Sequence, residues 1–190
     1  MLRTFPQTRD TSLMQRMLMV SAFTLLTALA ARVTVDIGPV PLTLQTLAVF
    51  LAGMVLGARD GALSQVFYVM LIAAGLPLDA RGLGTAVFMG PTWGYLIGFI
   101  PCAYVAGWLV EHSNGRMWQR LLAGLIGSAF VFGLGFVVLK FNTGMTWQQA
   151  FVGGVVEFQV ENFLKALLAA GIAESTRQVL LRTLMPQLPR

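Results

Sequence analysis

Six long apolar runs, separated by short polar connections, make up most of this chain. Their approximate bounds are 14–33, 42–56, 62–75, 92–110, 121–140 and 155–181. The hydrocarbon core of a bilayer is about 30 Å thick, so a helix needs about 20 mostly apolar residues to cross it. The pattern predicts an all-α integral membrane protein, a compact bundle of six transmembrane helices. Residues 1–190 would form a single membrane domain that begins with a polar tail at 1–13.

The composition excludes most classes of soluble protein. Hydrophobic residues make up 56% of the chain and charged residues only 11%, whereas soluble domains average about 25% charged residues. There is too little polar surface to cover a water-soluble core. The net charge of +5 comes from basic residues that form no cluster, so we expect the lipid bilayer, and no nucleic acid, as the surrounding partner.

The positions of the basic residues predict the orientation, because cytoplasmic loops collect Lys and Arg. With the N-terminus inside, only Arg32, Arg81 and Lys140 lie outside, and Lys165 falls within the last span. The remaining basic residues all fall on the cytoplasmic side: Arg3, Arg9, Arg16, Arg59, Arg116, Arg120, Arg177, Arg182 and Arg190. We therefore expect a multi-pass protein of the cytoplasmic (inner) membrane with both termini in the cytoplasm.

Motifs for enzyme chemistry are missing from the sequence. His112 is the only histidine, no acidic cluster could hold a metal, and there is no nucleophile elbow. No glycine-rich loop is followed by Lys-Ser or Lys-Thr, so the chain lacks an ATP-binding P-loop. We expect no enzyme activity, metal or cofactor, and uphill movement of a ligand would draw energy from a partner or an ion gradient.

Ionisable residues within the last span are the strongest sign of a site. Glu157, Glu161 and Lys165 recur four residues apart, which places them near one helical face, and Asn162 lies beside them. A charge at mid-membrane costs at least about 2.5–3.5 kcal/mol unless it meets a partner or a cavity. We expect this face to line a ligand pocket near the outer side. The alternative is an internal Glu161–Lys165 salt bridge that only lets the pair insert.

Two irregular outer segments, 34–46 and 76–92, contain prolines and glycines. Irregular backbone at membrane depth is tolerated where it is buried in protein or lines a cavity. We expect both segments to fold over the pocket. They and the start of the fourth span offer six candidate ligand-binding side chains: Thr43, Gln45, Arg81, Phe88, Trp93 and Tyr95. The alternatives are ordinary connecting loops and, for the aromatic residues, an interfacial belt.

Small residues four apart mark one face of the first span. Thr24 is followed by Ala28, and Thr27 by Ala31. Such spacing lets another helix approach closely. We expect a docking face for a partner helix, and intramolecular packing is the alternative.

Four short motifs lie at the ends of the spans. They read Pro39-Val-Pro-Leu-Thr-Leu-Gln45, Gly57-Ala-Arg-Asp-Gly61, Gly75-Leu-Pro77 and Gly90-Pro-Thr-Trp-Gly-Tyr-Leu-Ile-Gly-Phe99. Taken together, they resemble the BioY family, the biotin-binding S components of energy-coupling factor (ECF) transporters. The resemblance covers roughly residues 14–180.

The resemblance implies a fold and a function. The fold would have six helices, with a vitamin pocket beneath the first and third outer loops. The chain would be a high-affinity biotin-binding subunit that captures extracellular biotin for import, together with a transmembrane coupling subunit and ATPase subunits. The small-residue face of the first span would contact the coupling subunit. An S component for another vitamin, a solitary biotin transporter and a small membrane enzyme that uses Glu161 and Lys165 remain alternatives.

The last span departs from the pattern Phe-x-Pro-Gly-Asp-x-x-Lys that the family commonly carries. Here it reads Phe158-Gln-Val-Glu-Asn-Phe-Leu-Lys165, so Asn162 replaces the Asp and Glu161 the Gly. Either Glu161 or Glu157 supplies the lost negative charge, or Asn162 acts as a neutral amide. Trp93 stands where members often carry Gly, which could narrow the pocket.

The chemistry of biotin fits the candidate residues. Its ureido ring has two N–H donors and one carbonyl acceptor, so Asn162 could meet either kind of group and Lys165 could donate to the carbonyl. The thioether ring would pack on Trp93 and Tyr95. The carboxylate needs a cation or an amide donor, and the sequence leaves three possibilities: Gln45, Arg81 and Lys165.

Overall fold

The computed structural model describes residues 13–36 and 38–184, with side chains described as far as residue 176. The predicted tail therefore lies outside the described residues, apart from Leu13. So do five basic side chains used to predict the orientation: Arg3, Arg9, Arg177, Arg182 and Arg190.

Helices dominate the described ranges, which contain seven α-helices and one two-stranded antiparallel sheet. The helices are α1 (Leu13–Ala30), α2 (Gln45–Leu56), α3 (Ala58–Ala73), α4 (Trp93–Glu111), α5 (Met117–Thr143), α6 (Trp147–Gly154) and α7 (Gln159–Leu184). The strands are β1 (Thr34–Val35) and β2 (Leu42–Thr43). Two short 3₁₀ turns lie at Gly84–Met89 and Val156–Phe158.

Among the described helices, α1, α4 and α5 are long and apolar enough to cross a membrane. Their bounds agree with the predicted spans 14–33, 92–110 and 121–140 to within a few residues. A further apolar helix, α2, is shorter. The prediction of a helical chain with membrane-spanning segments is confirmed.

The second span begins later than predicted, because its first residues form a β-hairpin. Val35 pairs with Leu42 and Thr34 with Thr43. Pro39 and Pro41 cannot continue a helix, and β-branched residues favour extended backbone. The helix starts only at Gln45, and the hairpin before it covers one end of the bundle.

The corner between α2 and α3 explains why the third span starts at Ala58 rather than at 62. Gly57 adopts a φ of 84°, which favours glycine. A Cβ there would lie 2.2 Å from Glu111 Oε1, and the same oxygen accepts a 2.8 Å hydrogen bond from the Ala58 N–H. The end of α4 therefore caps the start of α3.

Helices α4 and α5 pack closely together, and this contact positions the pocket residue Tyr95. A Cβ on Gly94 would lie 2.4 Å from the carbonyl oxygen of Leu134, and one on Gly98 would lie 2.6 Å from Val131 Cα. Only glycine permits this approach of two helices. Tyr95, between the two glycines, is thereby fixed, and its hydroxyl donates to the Gly154 carbonyl at 2.9 Å.

The predicted last span, 155–181, does not begin as an α-helix. Directly before it the chain forms α6, begun by a capping box in which Thr146 accepts from the Gln149 N–H. It then breaks at Val155, whose φ of −130° and ψ of −60° are not helical, and passes through the 3₁₀ turn into α7. The α-helical part of the predicted last span is therefore α7, which begins at Gln159.

The end of the bundle opposite the hairpin is tightly closed. Arg120 near the start of α5 has a side chain only 2% exposed, and its guanidinium lies 2.6 Å from the carboxylate of Glu174 on α7. Between this pair and the hairpin, α7 packs on α2 and α5 through four fully buried alanines: Ala166, Ala169, Ala170 and Ala173.

The predicted docking face of α1 is turned into the protein. All four of its small residues are buried: Thr24, Thr27, Ala28 and Ala31. Thr24 Oγ1 donates to the Ser64 carbonyl of α3 at 2.9 Å, and Thr27 Oγ1 lies 3.4 Å from Gln65 Oε1. The expectation of a free docking face is corrected: this face packs within the chain, because its small side chains let α3 approach.

Candidate ligand-binding site

A narrow pocket lies between the helices, beneath the hairpin and the α3–α4 connection. Its cavity volume is about 70 Å³, and the wider space that includes the part open to solvent is about 670 Å³. Ligand sites usually combine an apolar wall with a few polar groups. The pocket has that character, since charged and hydroxyl side chains face it among aliphatic and aromatic ones.

Lys165 and Glu161 form the charged part of the wall. Lys165 Nζ lies 2.6 Å from Glu161 Oε2, and the side chains are 8% and 28% exposed. The ammonium also donates to the carbonyl oxygen of Thr43 in the hairpin. The two interpretations of this pair are therefore compatible, because the residues form a salt bridge and line the pocket at once.

Gln45 lines the pocket while its amide is held in place. Its Nε2 donates to the Tyr68 hydroxyl at 2.7 Å, and its Oε1 accepts from Thr43 Oγ1 at 3.0 Å. Tyr68 in turn donates to the Leu78 carbonyl at 2.9 Å. This chain of hydrogen bonds connects the start of α2 to α3 and the α3–α4 connection, and it fixes one side of the pocket.

Arg81 lies at the mouth and joins the two outer segments. Its Nη2 donates to Asp36 Oδ1 at 3.0 Å and to the Gly38 carbonyl at 2.9 Å. Its own backbone N–H donates to Asp79 Oδ2 at 3.1 Å, and the other oxygen of Asp79 accepts from the Gly84 N–H at 2.8 Å. The buried Asp79 carboxylate thus shapes the connection from which Arg81 reaches the hairpin.

Aromatic side chains form the opposite wall. Tyr95 and Phe99 come from α4, Phe132 from α5 and Phe158 from the 3₁₀ turn before α7. The rings of Phe132 and Phe158 lie 6.4 Å apart between centroids. Their flat, apolar faces suit a ring-shaped ligand.

The structure brings six of the nine candidate residues to the pocket lining: Thr43, Gln45, Arg81, Tyr95, Glu161 and Lys165. Three lie outside that lining. Asn162 is buried and donates to Ser128 Oγ at 3.0 Å, because one residue along a helix turns its side chain away from Glu161 and toward α5. Phe88 packs on the hydrophobic core, and Trp93 begins α4 beside the pocket.

Glu157 does not share the face of Glu161 and Lys165. It lies exposed in the 3₁₀ turn, outside the pocket lining. The predicted spacing of four residues assumed a continuous helix, and the break at Val155 removes that condition. Of the two carboxylates considered as a source of negative charge, Glu161 is the one that contacts Lys165.

Several lining residues were not singled out by sequence reasoning. Thr46 follows directly on Gln45, and Asp79 precedes Arg81 by two, so their nearness to candidates was an available signal. Val131 and Phe132 lie within a uniformly apolar span, so the sequence carried no signal that they line the pocket. Within the described residues, no group of three or more His, Cys, Asp or Glu side chains could hold a metal ion.

Comparison with known proteins places the chain among transport proteins. The model of the BioY family matches residues 5–182. A biotin transporter BioY of Thermotoga maritima is 39% identical over 161 residues, which cover 84% of this chain and 94% of the relative. A probable biotin transporter BioY of Pyrococcus horikoshii is 40% identical over 157 residues, or 82% and 92% of the two chains.

A solved structure agrees with the fold. The chain resembles the crystal structure of the S-component for biotin from an ECF-type ABC transporter, with a TM-score of 0.79 and 25% sequence identity. The match covers 89% of this chain and 95% of that one. The resemblance drawn from the four sequence motifs is confirmed, and the chain is a member of the BioY family.

Proposed function

We propose that this chain captures extracellular biotin for import, as the substrate-binding S component of an ECF-type transporter. The observation that carries the proposal is the Lys165–Glu161 pair, which lines the pocket beneath the outer segments. Ionisable residues within membrane spans are rare, and they usually face a cavity, pair with one another and mark a ligand site. The names of the relatives supply the identity of that ligand.

The pair is suited to the ureido ring of biotin. A cyclic urea presents a carbonyl acceptor directly beside an N–H donor. Lys165 Nζ is a donor and Glu161 Oε2 an acceptor, and they lie side by side at 2.6 Å. Lys165 would donate to the ureido carbonyl while Glu161 accepts one N–H. Because their charges cancel, the pair favours a neutral group.

Arg81 would then hold the carboxylate at the mouth. It is the second cationic side chain that lines the pocket among the described residues. A guanidinium has five N–H donors, so Arg81 could meet the ligand carboxylate while it keeps its ion pair with Asp36, whose side chain is 60% exposed. The rings of Tyr95, Phe132 and Phe158 would enclose the thioether ring and the aliphatic chain.

The proposed topology has six spans, α1 to α5 and α7, with both termini in the cytoplasm and the pocket open to the exterior. The distribution of Arg and Lys in the sequence supports this orientation. A transmembrane coupling subunit and ATPase subunits would complete the transporter in the cytoplasmic membrane, because the chain carries no P-loop.

Binding of labelled biotin to the purified full-length protein in lipid nanodiscs tests the proposal. We expect saturable binding that unlabelled biotin, but not other vitamins, displaces. Lys165→Ala should weaken the affinity about 10- to 100-fold, since it removes a hydrogen bond from a charged donor. Lys140→Ala is the matched control, because Lys140 lies over the rings of Phe141 and Trp147, outside the pocket lining.

Absence of saturable biotin binding, or equal affinities for the two lysine variants, would contradict the proposal. The orientation of the ligand has its own readout. Biotinamide lacks the negative charge, so Arg81→Ala should lower the affinity for biotin more than the affinity for biotinamide. Uptake of biotin in a host that lacks any coupling subunit would instead identify a solitary transporter.

A further inference from the structure

Thr46, in the first turn of α2, carries a buried hydroxyl without a hydrogen-bond partner. Its Oγ1 is shielded from solvent and has no hydrogen-bond partner among the residues that the structure describes. A buried polar atom of this kind destabilises the fold unless something satisfies it, and most such atoms in proteins are paired. The exception calls for a physical explanation.

Other threonines in the helices of this protein show the usual solution. Thr24, Thr27, Thr143 and Thr176 each donate to the carbonyl four residues earlier. For Thr46 the corresponding residue is Leu42, which lies in β2 and not in a helix. The hairpin therefore deprives Thr46 of the local acceptor that a helix normally supplies.

The same side chain lines the pocket. Thr43, three residues earlier, meets the ammonium of Lys165 through its carbonyl oxygen. Thr46 lies in the first turn of α2, three residues beyond that contact, and it lines the same pocket as the Lys165–Glu161 pair.

We propose that Thr46 is a specificity-determining residue whose Oγ1 accepts a hydrogen bond from the second ureido N–H of the ligand. This inference rests on the proposed function, and it gives each hydrogen-bonding group of the ureido ring a partner in the protein. Lys165 meets the ureido carbonyl and Glu161 one N–H, which leaves one N–H in need of an acceptor. Thr46 supplies that acceptor, and the ligand in turn gives the orphan hydroxyl oxygen a hydrogen-bond partner.

The experiment compares Thr46→Val, which keeps the shape and removes the hydroxyl, with Thr46→Ser, which keeps the hydroxyl. Biotin affinity and the thermal unfolding temperature of ligand-free protein are measured in nanodiscs. Thr46→Val should bind biotin about 3- to 10-fold more weakly than wild type, and Thr46→Ser within about twofold. Without ligand, Thr46→Val should unfold at the same or a higher temperature, because an unpaired buried hydroxyl is lost.

Thr143→Val is the control for loss of a threonine hydroxyl, since Thr143 Oγ1 donates to the Leu139 carbonyl outside the pocket lining. It should leave biotin affinity unchanged. Desthiobiotin and biotinamide, which both keep the ureido ring, should lose affinity for Thr46→Val by the same factor as biotin. If Thr46→Val does not fold, the Thr46→Ser and Thr46→Ala pair provides the same comparison.

The outcomes separate the two proposals. Wild-type protein that fails to bind biotin overturns the proposed function and this inference with it. Wild-type protein that binds, with equal affinity in Thr46→Val, overturns the inference alone. A loss that disappears for biotinamide would assign the hydroxyl to the carboxylate and also overturn it. A lower unfolding temperature for ligand-free Thr46→Val would mean that the hydroxyl is already paired within the chain.

Discussion

At the scale of single residues, the pocket is organised by a charge pair that helix geometry alone brings together. Glu161 and Lys165 are four apart on α7, so their side chains meet on one face without help from another element. The Lys165 side chain is only 8% exposed, and an unpartnered ammonium would be strongly disfavoured there. Glu161 is its counter-charge, and in the proposed function it lets Lys165 meet a neutral ligand group.

Glu161→Gln should destabilise the protein by about 1–3 kcal/mol, because it leaves the ammonium of Lys165 with less compensation. The value lies between those for exposed and for fully buried pairs, since Glu161 is 28% exposed. Thermal unfolding in detergent measures the change.

Glu157→Gln removes the same charge from the neighbouring 3₁₀ turn, outside the pocket lining, and should leave the unfolding temperature unchanged. Equal behaviour of the two variants would show that the pair with Lys165 contributes nothing to stability.

At the scale of structural elements, the pocket is covered by the hairpin and the α3–α4 connection, and a joint of hydrogen bonds links these two segments. Arg81 supplies the joint through Asp36 and the Gly38 carbonyl, and Asp79 shapes the segment that presents it. The Arg81–Asp36 ion pair is partly exposed, so it contributes little free energy and is easily opened. An easily opened cover admits ligand at modest cost.

Asp36→Ala should speed the dissociation of biotin about two- to fivefold, because the hairpin is held less firmly over the pocket. A chase experiment with labelled biotin measures the rate. Raised salt should speed dissociation from wild type in the same way by screening the pair, and should have a smaller effect on Asp36→Ala. An unchanged rate in the variant would mean that this joint does not control exit.

Sequence reasoning identified the long helices and where they are interrupted, but not the form of each interruption. Apolar length located α1, α4 and α5 to within a few residues, because spanning a bilayer dictates both length and composition. The hairpin at Thr34–Thr43 was missed as regular structure, since two residues per strand carry too little pattern. Gly153 and Gly154 mark the break before α7 in the sequence, whereas the contact of Tyr95 with the Gly154 carbonyl is tertiary and has no local pattern.

The site residues that could be predicted are those of a type that is unusual in an apolar membrane protein. Lys165, Glu161 and Arg81 stood out as charges, and Gln45 stood in a recognisable motif. Phe132 and Val131 are ordinary residues of an apolar span, and only tertiary packing turns them to the pocket. Asn162 lay next to the right residues in sequence, but the helix turns it toward Ser128.

At the scale of the whole molecule, the proposed arrangement in the membrane rests on the distribution of the basic residues. With both termini in the cytoplasm, the α5–α6 connection would face outward and the α4–α5 connection inward. Cys102 is fully buried, so it should give little background in thiol labelling.

Asn142→Cys and Asn114→Cys test the orientation in a Cys102→Ser background. A membrane-impermeant maleimide should label intact cells at position 142, near the end of α5. Position 114, in the α4–α5 connection, should react only after the membrane is permeabilised. Labelling of both positions from the same side would rule out an odd number of spans between them, and reversed labelling would invert the topology.

The closed end of the bundle limits how a bound molecule can leave. The Arg120–Glu174 pair and the row of buried alanines on α7 hold α5, α7 and α2 together at this end. A path through it would require α5 to separate from α7. We therefore expect a bound molecule to enter and leave at the hairpin end, and a stiff bundle would keep the shape of its pocket throughout.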